Sequence, residues 1–484
     1  MNKIIPLATL CALSIACGGG GGDSTATPAT TTDNSTTTTK TTYSFDSKFK
    51  TGESSVSYSG QTYRMSLIQK IADYAGSVTN TSNQTANSVL TKLQFLFSDT
   101  TSTSESLFSV TGATLSQSTF ADISSDKNLQ GKIAGNDATG QHKTWSDGTS
   151  FKGWGDTSIL TTAANTAGAN IITPSGLVNA FFYKLNDQAT TENNGTARQD
   201  SRGVTVPKTY ITEKGQDLKQ LIQKFLLGAV AYSQATDDYL DNDGTTGKGI
   251  DSSNQQDSAN AYSTLEHQFD EGFGYFGAAR DYTSYTDEEI AASSGRDAYK
   301  NGYYDTNGDS KIDLKSEYNF GHSVNAAKRD KQSLGTDYTK EAWDAWIAAR
   351  KLINDNAGTE LTSAQKTELI AYRDTIVKTW EKAIAATVVH YINDTITDAK
   401  ALTTTSDIEN YAKHWSELKG FALSLQFNPH KLISDSQLEQ LQSLIGDAPE
   451  LDTSKVSTFT TNLESAKAIM KAAYSFTDTQ IAGW

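Results

Sequence analysis

The chain has 484 residues, of which 41 are basic and 56 acidic, so its formal net charge is −15 at pH 7. This surplus of negative charge argues against nucleic acid as a partner and favours cations or cationic surfaces. The two cysteines, Cys11 and Cys17, both lie at the N-terminus. Processing of that leader would leave a body without free thiols, which excludes disulfides and cysteine-ligated metal sites.

The N-terminus has the layout of an export signal, with Lys3 before an apolar run from Ile4 to Ile15. The run is too short to span a bilayer as a helix. Ala16 directly before Cys17 is typical of bacterial lipoproteins, in which the cysteine is acylated and becomes the first residue. We predict a signal peptide over residues 1–16 and lipidation of Cys17. The alternative is an ordinary secreted protein.

Residues 17–42 are almost entirely Gly, Ser, Thr, Asp and Pro. Such a segment buries too little apolar surface to repay the entropy of ordering, so we expect a flexible tether. A tether after a lipidated cysteine lets the following body, residues 43–484, stand off a membrane while staying attached to it. Gly18 and Gly19 after the cysteine favour the outer membrane over the inner membrane.

The body is predicted to be mainly α-helical, because apolar residues recur at helical spacing through most of it. A few short strands are expected between Tyr43 and Gly60, and long loops between Ser98 and Pro174. The apolar stripe at 217–239 suits the core of a bundle. Helices are predicted at 66–75, 86–97, from 174 onward, and at 217–239, 259–276, 287–293, 323–331, 339–356, 363–400, 406–425, 435–444 and 453–476.

Two segments, 266–273 and 413–421, read as rough copies of each other. In each, a histidine precedes a carboxylate by one helical turn, and Gly-Phe follows. His267 is therefore expected beside Asp270 or Glu271, and His414 beside Glu417. Imidazole and carboxylate ligands on opposed helices suit iron, zinc or manganese. The alternative is that each histidine is partly buried and hydrogen-bonded to the neighbouring carboxylate.

Residues 305–317 follow the spacing of a calcium-binding loop. Ser310 replaces the usual glycine, and the last carboxylate comes one position late. A further acidic stretch at 241–244 lacks this continuation, and the alternative for 305–317 is an acidic surface turn. The predicted calcium ligands are Asp305, Asn307, Asp309, the carbonyl of Lys311, Asp313 and Glu317.

Five of the six histidines lie in the C-terminal half of the chain, where we expect the chemistry. His322 follows the calcium loop closely, so an ion in the loop would also fix where His322 points. We predict His322 as a further transition-metal ligand or as a residue that orients one. A solvated helix start is its alternative, and His390 lies on an apolar face typical of a core histidine.

The stretches 266–277, 304–330, 390–394 and 414–429 resemble a bacterial lipoprotein family known as domain of unknown function 4856, which is related to the imelysin-like proteins. Imelysin-like proteins are exported helical bodies built from a duplicated bundle, carry a His-x-x-Glu motif, and are associated with iron or haem uptake across the outer membrane. Residues 414–417 match that motif, whereas 267–270 have Asp in place of Glu. The resemblance implies an imelysin-like bundle with internal duplication.

Together these features predict an outer-membrane lipoprotein that binds iron, haem or another metal and assists its uptake, together with an outer-membrane receptor. In this interpretation the chain is a binding protein rather than an enzyme. One alternative is a zinc-dependent hydrolase or peptidase, with Glu271 or Glu266 as the general base. The other is a surface lipoprotein that calcium stabilises and whose histidines belong to the core.

Overall fold

The computed structural model describes residues 40–81, 87–100, 104–143, 145, 150–242, 247–402 and 407–484. These residues belong to one compact unit, Lys40–Trp484. The predicted signal peptide, Cys17 and the tether up to Thr39 lie outside the described residues. Lys40 already contacts the body, because the indole of Trp343 donates a hydrogen bond of 3.3 Å to its carbonyl. Nowhere in the described ranges does a helix reach the length and apolarity needed to cross a membrane.

The fold is mainly α, as predicted. In chain order the described helices are α1 (Ser59–Ser77), α2 (Ser88–Ser98), α3 (Thr162–Thr166), α4 (Pro174–Asn193), α5 (Leu218–Leu226), α6 (Thr264–Phe276), α7 (Asp287–Ile290), α8 (Gly321–Asp330), α9 (Tyr338–Asp355), α10 (Ser363–Ala401), α11 (Glu409–Ser424), α12 (Asp435–Ile445), α13 (Val456–Tyr474) and α14 (Asp478–Gly483). Short 3-10 turns occur at Phe120–Asp122, Gln130–Lys132, Thr157–Ile159, Gly249–Asp251, Tyr282–Ser284 and Leu425–Phe427.

The short strands expected near the N-terminus do not form, and that part of the prediction was wrong. Within the described part of residues 43–60, pairing is limited to one isolated bridge between Asp46 and Ser54. Side-chain contacts with helices hold this segment instead. The ring of Tyr43 stacks on Phe273 of α6 with centroids 3.7 Å apart, and its hydroxyl donates to Asp270 at 2.8 Å. Because the segment docks on helices, it needs no ladder partner.

Helix α10 lies at the centre of the bundle and packs against α8, α9, α11 and α13. It begins with a capping box, in which Thr362 and Gln365 satisfy each other's backbone amides. Residues 383–389 are buried on every side, as expected for a helix with neighbours all round. Because α10 is 39 residues long, it can contact all four of these helices along its length.

Helix α5 continues past Leu226 as two π-helical segments, Leu227–Tyr232 and Ala235–Tyr239. All residues from 225 to 241 are buried. A widened turn disturbs the regular backbone hydrogen bonds, and the His322 ring donates to the carbonyl of Leu227 at 3.1 Å where the widening begins. Such π-segments occur frequently at functional sites. Here the second one delivers several buried acidic side chains.

Candidate metal centre

Three side chains meet at the end of the second π-segment. A ring nitrogen of His142 and carboxylate oxygens of Asp237 and Asp241 all lie within 4.8 Å of one another. Among the residues that the structure describes, no other set of three or more His, Cys, Asp or Glu side chains meets this criterion. The chain therefore brings together a mixed imidazole and carboxylate group that the pairing of neighbouring residues did not predict.

The helix and an adjoining loop build this group. Asp237 and Asp241 lie one turn apart where the continuation of α5 ends, and they are 0% and 2% exposed. The C-terminal end of a helix carries partial negative charge, which adds to the attraction of the two carboxylates for a cation. Asp237 also accepts the backbone N–H of Lys143 at 3.2 Å. The loop that carries His142 is thus fixed to the helix by one of the acidic residues.

A second histidine completes the arrangement through Asp241. Oδ2 of Asp241 lies 2.7 Å from Nδ1 of His142, and Oδ1 lies 2.8 Å from Nε2 of His430. The backbone N–H of His430 donates to Asn428 at 2.8 Å, which holds the turn that presents the ring. Asp241 therefore bridges two imidazoles that are 288 positions apart in the chain (430 − 142). His430 joins the group of three through Asp241 alone. The four residues, His142, Asp237, Asp241 and His430, form a candidate site that we call the metal centre.

The two carboxylates of the metal centre have opposite electrostatic character. Burial raises the pKa of Asp237 to about 7, and the negative charge of Asp241 adds to this effect. Burial also acts to raise the pKa of Asp241, but hydrogen bonds from His430 and His142 outweigh it and lower that pKa below its ordinary value. A buried carboxylate that is costly to ionise gains from an added cation, because the cation supplies the missing positive charge.

Imidazole nitrogen and carboxylate oxygen suit Fe²⁺, Mn²⁺ and Zn²⁺, whereas calcium prefers oxygen ligands alone. Two histidines with a carboxylate are the ligand types of non-haem Fe(II) sites. The donor types of the metal centre thus fit a transition metal ion.

The first predicted pair lies elsewhere, on α6. Both oxygens of Asp270 accept hydrogen bonds: Oδ1 from Arg350 at 2.7 Å and Oδ2 from the backbone N–H of Ser57 at 3.0 Å. In this geometry both oxygens of Asp270 are used by donors of the protein, and its role as a metal ligand stays a prediction. His267 contacts the Ser57 carbonyl at 3.1 Å and stacks on Tyr262, while Glu271 lies 4.0 Å from its Nε2.

The second predicted pair also separates. Nδ1 of His414 lies 2.7 Å from Asp398 of α10, while its helix neighbour Glu417 lies 3.4 Å from the amine of Lys224. His390 Nε2 lies 3.3 Å from Asp394, which is 4.0 Å from Nε2 of His414. In the described chain, neither His267 nor His414 belongs to a three-ligand group within 4.8 Å.

The surroundings of the second pair disfavour an added cation. Burial, with the charge of nearby Arg329 adding to it, lowers the pKa of His390 to about 3. Burial also acts to lower the pKa of His414, but Asp398 and Asp394 outweigh it and raise that pKa. Arg329 is 4% exposed, and its Nε and one terminal nitrogen have no hydrogen-bond partner. The positive charge of a buried guanidinium opposes a metal ion beside it, and the same holds at the metal centre, where a terminal nitrogen of Arg373 lies 3.5 Å from Nε2 of His430.

A family model described as "Domain of unknown function (DUF4856)" matches residues 40–445. The chain belongs to this family. All four residues of the metal centre lie inside the matched range, whereas α13 and α14 lie beyond it. No curated protein and no solved structure gives a significant match to the chain. The family assignment predicted from the sequence is thus confirmed, while the likeness to imelysins stays a prediction.

In this DUF4856 chain, His322 is buried among aromatic rings. It is 1% exposed and packs against the rings of Trp380 and Tyr232, with centroids 5.1 and 6.0 Å away. Its Nε2 is bonded to the Leu227 carbonyl, and its Nδ1 has no hydrogen-bond partner. By its bond to Leu227, His322 supports the widened turn that follows α5. His322 belongs to no three-ligand group among the described residues, and its predicted role in metal binding stays a prediction.

His322 makes stability depend on pH in a defined direction. Burial lowers its pKa to about 4 from an ordinary value of 6.5. Between these values the unfolded chain binds the extra proton, so this stability is complete above pH 6.5 and lost as the pH falls towards 4. A shift of this size corresponds to roughly 3 kcal/mol. Urea unfolding measures how much the free energy of unfolding falls between pH 7 and pH 4. We expect this fall to be smaller by roughly 3 kcal/mol in His322→Gln than in the wild type.

The predicted calcium loop forms a closed turn. Asp305 accepts the backbone N–H groups of Gly308 and Ser310 at 2.7 Å each, and Ser310 has a φ of 65°. Glu317 is 1% exposed and accepts the backbone N–H of Asp313 at 2.9 Å. The remaining predicted ligands are also used within the turn: Asn307 and Asp309 each accept a backbone N–H, and Asp313 accepts the amide of Gln117.

Calcium binding stays a prediction for this loop. The loop carboxylates form no three-ligand group within 4.8 Å, so an ion would have to draw them away from the N–H groups they accept. The carbonyl of Lys311 is the expected backbone ligand between them. Ile312 of the loop forms a bridge with Leu115, which fixes one side of the turn to the body.

Calcium is expected to stabilise the DUF4856 body through this loop. At a concentration about 100 times the dissociation constant, a ligand of the folded state adds about 2.7 kcal/mol. Thermal unfolding with and without calcium should show the gain in the wild type and its loss in Asp305→Asn. The control is Asp297→Asn, whose side chain is exposed outside the loop. An equal response of both variants would contradict a site in the loop.

The sequence carried only weak signs of the metal centre. His142 lies in the stretch interpreted as long loops, and His430 comes directly after the stretch 414–429. Asp237 and Asp241 lie four positions apart at the end of the predicted helix 217–239, which is the spacing of one helical face. That spacing on a buried helix was the one available sign. Asp241 instead counted as part of a weak acidic turn, of which residues 243 and 244 lie outside the described residues.

Proposed function

We propose that this DUF4856 chain is an exported, lipid-anchored protein that binds a divalent transition metal ion and helps deliver it to an uptake system. The observation that carries the proposal is the metal centre, where Asp241 bridges His142 and His430 beside buried Asp237. Iron is the metal we favour. Two imidazoles with carboxylates suit Fe²⁺.

The contacts of Asp241 support reversible binding. Both of its oxygens are hydrogen-bonded to imidazoles. A bound ion would take the place of these hydrogen bonds, and its release would let them form. A centre that is satisfied in both states avoids the cost of an uncompensated buried charge when the ion leaves. This property suits a protein that hands an ion on.

The charge of the whole chain supports the same role. A net charge of −15 raises the local concentration of cations around the body and speeds their capture. The lipid anchor predicted at Cys17 would keep the captured ion at the membrane where an uptake receptor lies. Delivery to such a receptor is therefore part of the proposal, with the outer membrane as the expected location.

Uptake is tested in cells of the source bacterium that lack the gene. Under limiting iron, such cells are expected to accumulate less iron than the parent, and a copy of the wild-type gene should restore accumulation. A copy that encodes Asp241→Asn should fail to restore it at equal protein abundance. If the deletion leaves iron, manganese and zinc accumulation unchanged, the uptake role is contradicted, whatever the purified protein binds.

A further inference from the structure

A second polar site lies beside the same helix end, next to Asp238. A cleft of about 420 Å³ opens between α1, α6 and the segments around Lys127 and Lys248. Its walls are polar throughout, with serines, glutamines and charged groups. Pockets for apolar ligands are lined mainly by hydrophobic side chains, so this cleft suits a polar ligand.

The cleft carries more positive than negative charge. Four cationic side chains, of Arg64, Lys127, Lys132 and Lys248, face two carboxylates, of Asp238 and Glu271. This local excess occurs in a chain whose net charge is −15. A concave site lined by one sign of charge focuses its field and attracts ligands of the opposite sign.

Two of these cations form no ion pair with a carboxylate that the structure describes. Lys132 is paired with Asp137, and Arg64 donates to the carbonyl of Asn128 at 2.9 Å. By contrast, none of the described carboxylates lies within ion-pairing distance of the amines of Lys127 or Lys248. These two lysines remain available for an anion that enters the cleft.

Buried acceptors of the same cleft also lack donors. Among the described residues, Oδ1 of Asp238 and Oε1 of Gln61 have no hydrogen-bond partner, although the two residues are 2% and 0% exposed. Buried polar atoms are nearly always hydrogen-bonded in folded proteins, so each of these acceptors calls for a donor. Hydroxyl groups of a ligand are donors of the required kind.

His267 lies in this cleft as well, which gives the first predicted pair a different setting. Tyr262 stacks on its ring with centroids 4.6 Å apart, and the Ser57 carbonyl is bonded to Nδ1. These contacts fix the ring with Nε2 directed towards Glu271, 4.0 Å away. The amide of Gln61 donates to Glu271 at 2.8 Å and holds that carboxylate in place. This wall of the cleft is therefore built before any ligand arrives.

We infer that the cleft binds a small oxyanion that also carries hydroxyl groups. Lys127 and Lys248 hold the oxyanion, while Asp238 and Gln61 accept hydrogen bonds from the hydroxyls. Phosphorylated sugars and hydroxycarboxylates share this chemistry. The inference does not depend on the proposed metal function, since it uses none of the four residues of the metal centre.

Titration calorimetry on the purified chain at low ionic strength tests this inference with three probes: glucose 6-phosphate, citrate and uncharged glucose. We expect at least one of the two oxyanions to bind and glucose to bind at least ten times more weakly. Lys127→Ala/Lys248→Ala should weaken oxyanion binding at least tenfold. The matched control, Lys340→Ala/Lys351→Ala, removes two lysine charges from α9 and should bind like the wild type.

The same measurements contain the contrary outcomes. If neither oxyanion binds at millimolar concentration, or if both double variants lose affinity equally, the cleft is not the site. Asp238→Ala, which removes the acceptor, separates the hydroxyl contribution when inorganic phosphate is added as a fourth probe, because it should weaken glucose 6-phosphate more than inorganic phosphate. Equal effects on these two ligands would overturn the assignment of Asp238. Circular dichroism melting confirms that each variant is folded before it is titrated.

Discussion

Arg350→Met is expected to lower the free energy of unfolding by about 3 to 5 kcal/mol, because it leaves two buried carboxylates without their cation. The guanidinium of Arg350 lies 2.7 Å from Glu266 and 2.7 Å from Asp270, and all three side chains are 0% exposed. It also donates to Ser55 at 2.8 Å, which joins the N-terminal segment to α6 and α9. Urea unfolding at neutral pH measures the loss.

The neighbouring residue provides the control for Arg350. Lys351 pairs with Asp355 on the surface of α9, and their side chains are 55% and 50% exposed. Exposed pairs contribute at most about 1 kcal/mol, so Lys351→Met should change stability by no more than that. A second variant, Arg350→Met/Asp270→Asn, should recover part of the loss, since it removes one of the unpaired charges. Equal stabilities of Arg350→Met and Lys351→Met would show that the buried ion pairs are not the reason for the effect.

Asp241→Asn is expected to weaken transition-metal binding about 100-fold or more. Even residues that only orient metal ligands typically change affinity by about 10 to 100 times when they are replaced. Asp241 contacts both histidines of the metal centre, so its loss removes one ligand and releases the orientation of two others. Competition with a chromophoric chelator under anaerobic conditions measures the affinity for Fe²⁺, Mn²⁺ and Zn²⁺.

A nearby acidic residue provides the control for Asp241. Asp238 lies on the same π-segment but faces Lys132, Lys248 and the cationic cleft. Asp238→Asn removes a buried acidic group of the same size. It should leave metal affinity within about threefold of the wild type, a difference of about 0.7 kcal/mol in binding free energy. If both variants lose affinity equally, general damage to the helix end explains the loss better than removal of a ligand.

The helices could be predicted from the sequence because their signals are local. The pattern gave 363–400 for α10, which the structure has as Ser363–Ala401, and Pro174 marks the start of α4. The first seven residues of α1, about two turns, were missed, because the polar residues Gln61, Thr62 and Arg64 are buried by tertiary contacts. Periodicity cannot reveal a polar face that other parts of the chain cover.

The metal centre was beyond such reasoning, because its residues come from three distant segments. Pairs of neighbouring residues on one helix drew attention to His267 with Asp270 and to His414 with Glu417, and in both cases other partners take the carboxylate. Asp270 accepts a hydrogen bond from buried Arg350, which lies 80 positions away in the chain. The hydrogen-bond partner of a carboxylate depends on tertiary packing. A single sequence does not show which distant residues pack together.

The most direct test of the account compares two pairs of substitutions in one metal-binding measurement. Metal affinity and bound-metal content are determined for the purified chain, for His142→Ala/His430→Ala, and for His267→Ala/His414→Ala. We expect the first variant to lose the ion and the second to bind it like the wild type. Retention of the ion by the first variant together with its loss from the second would contradict the assignment and return the site to the originally predicted pairs.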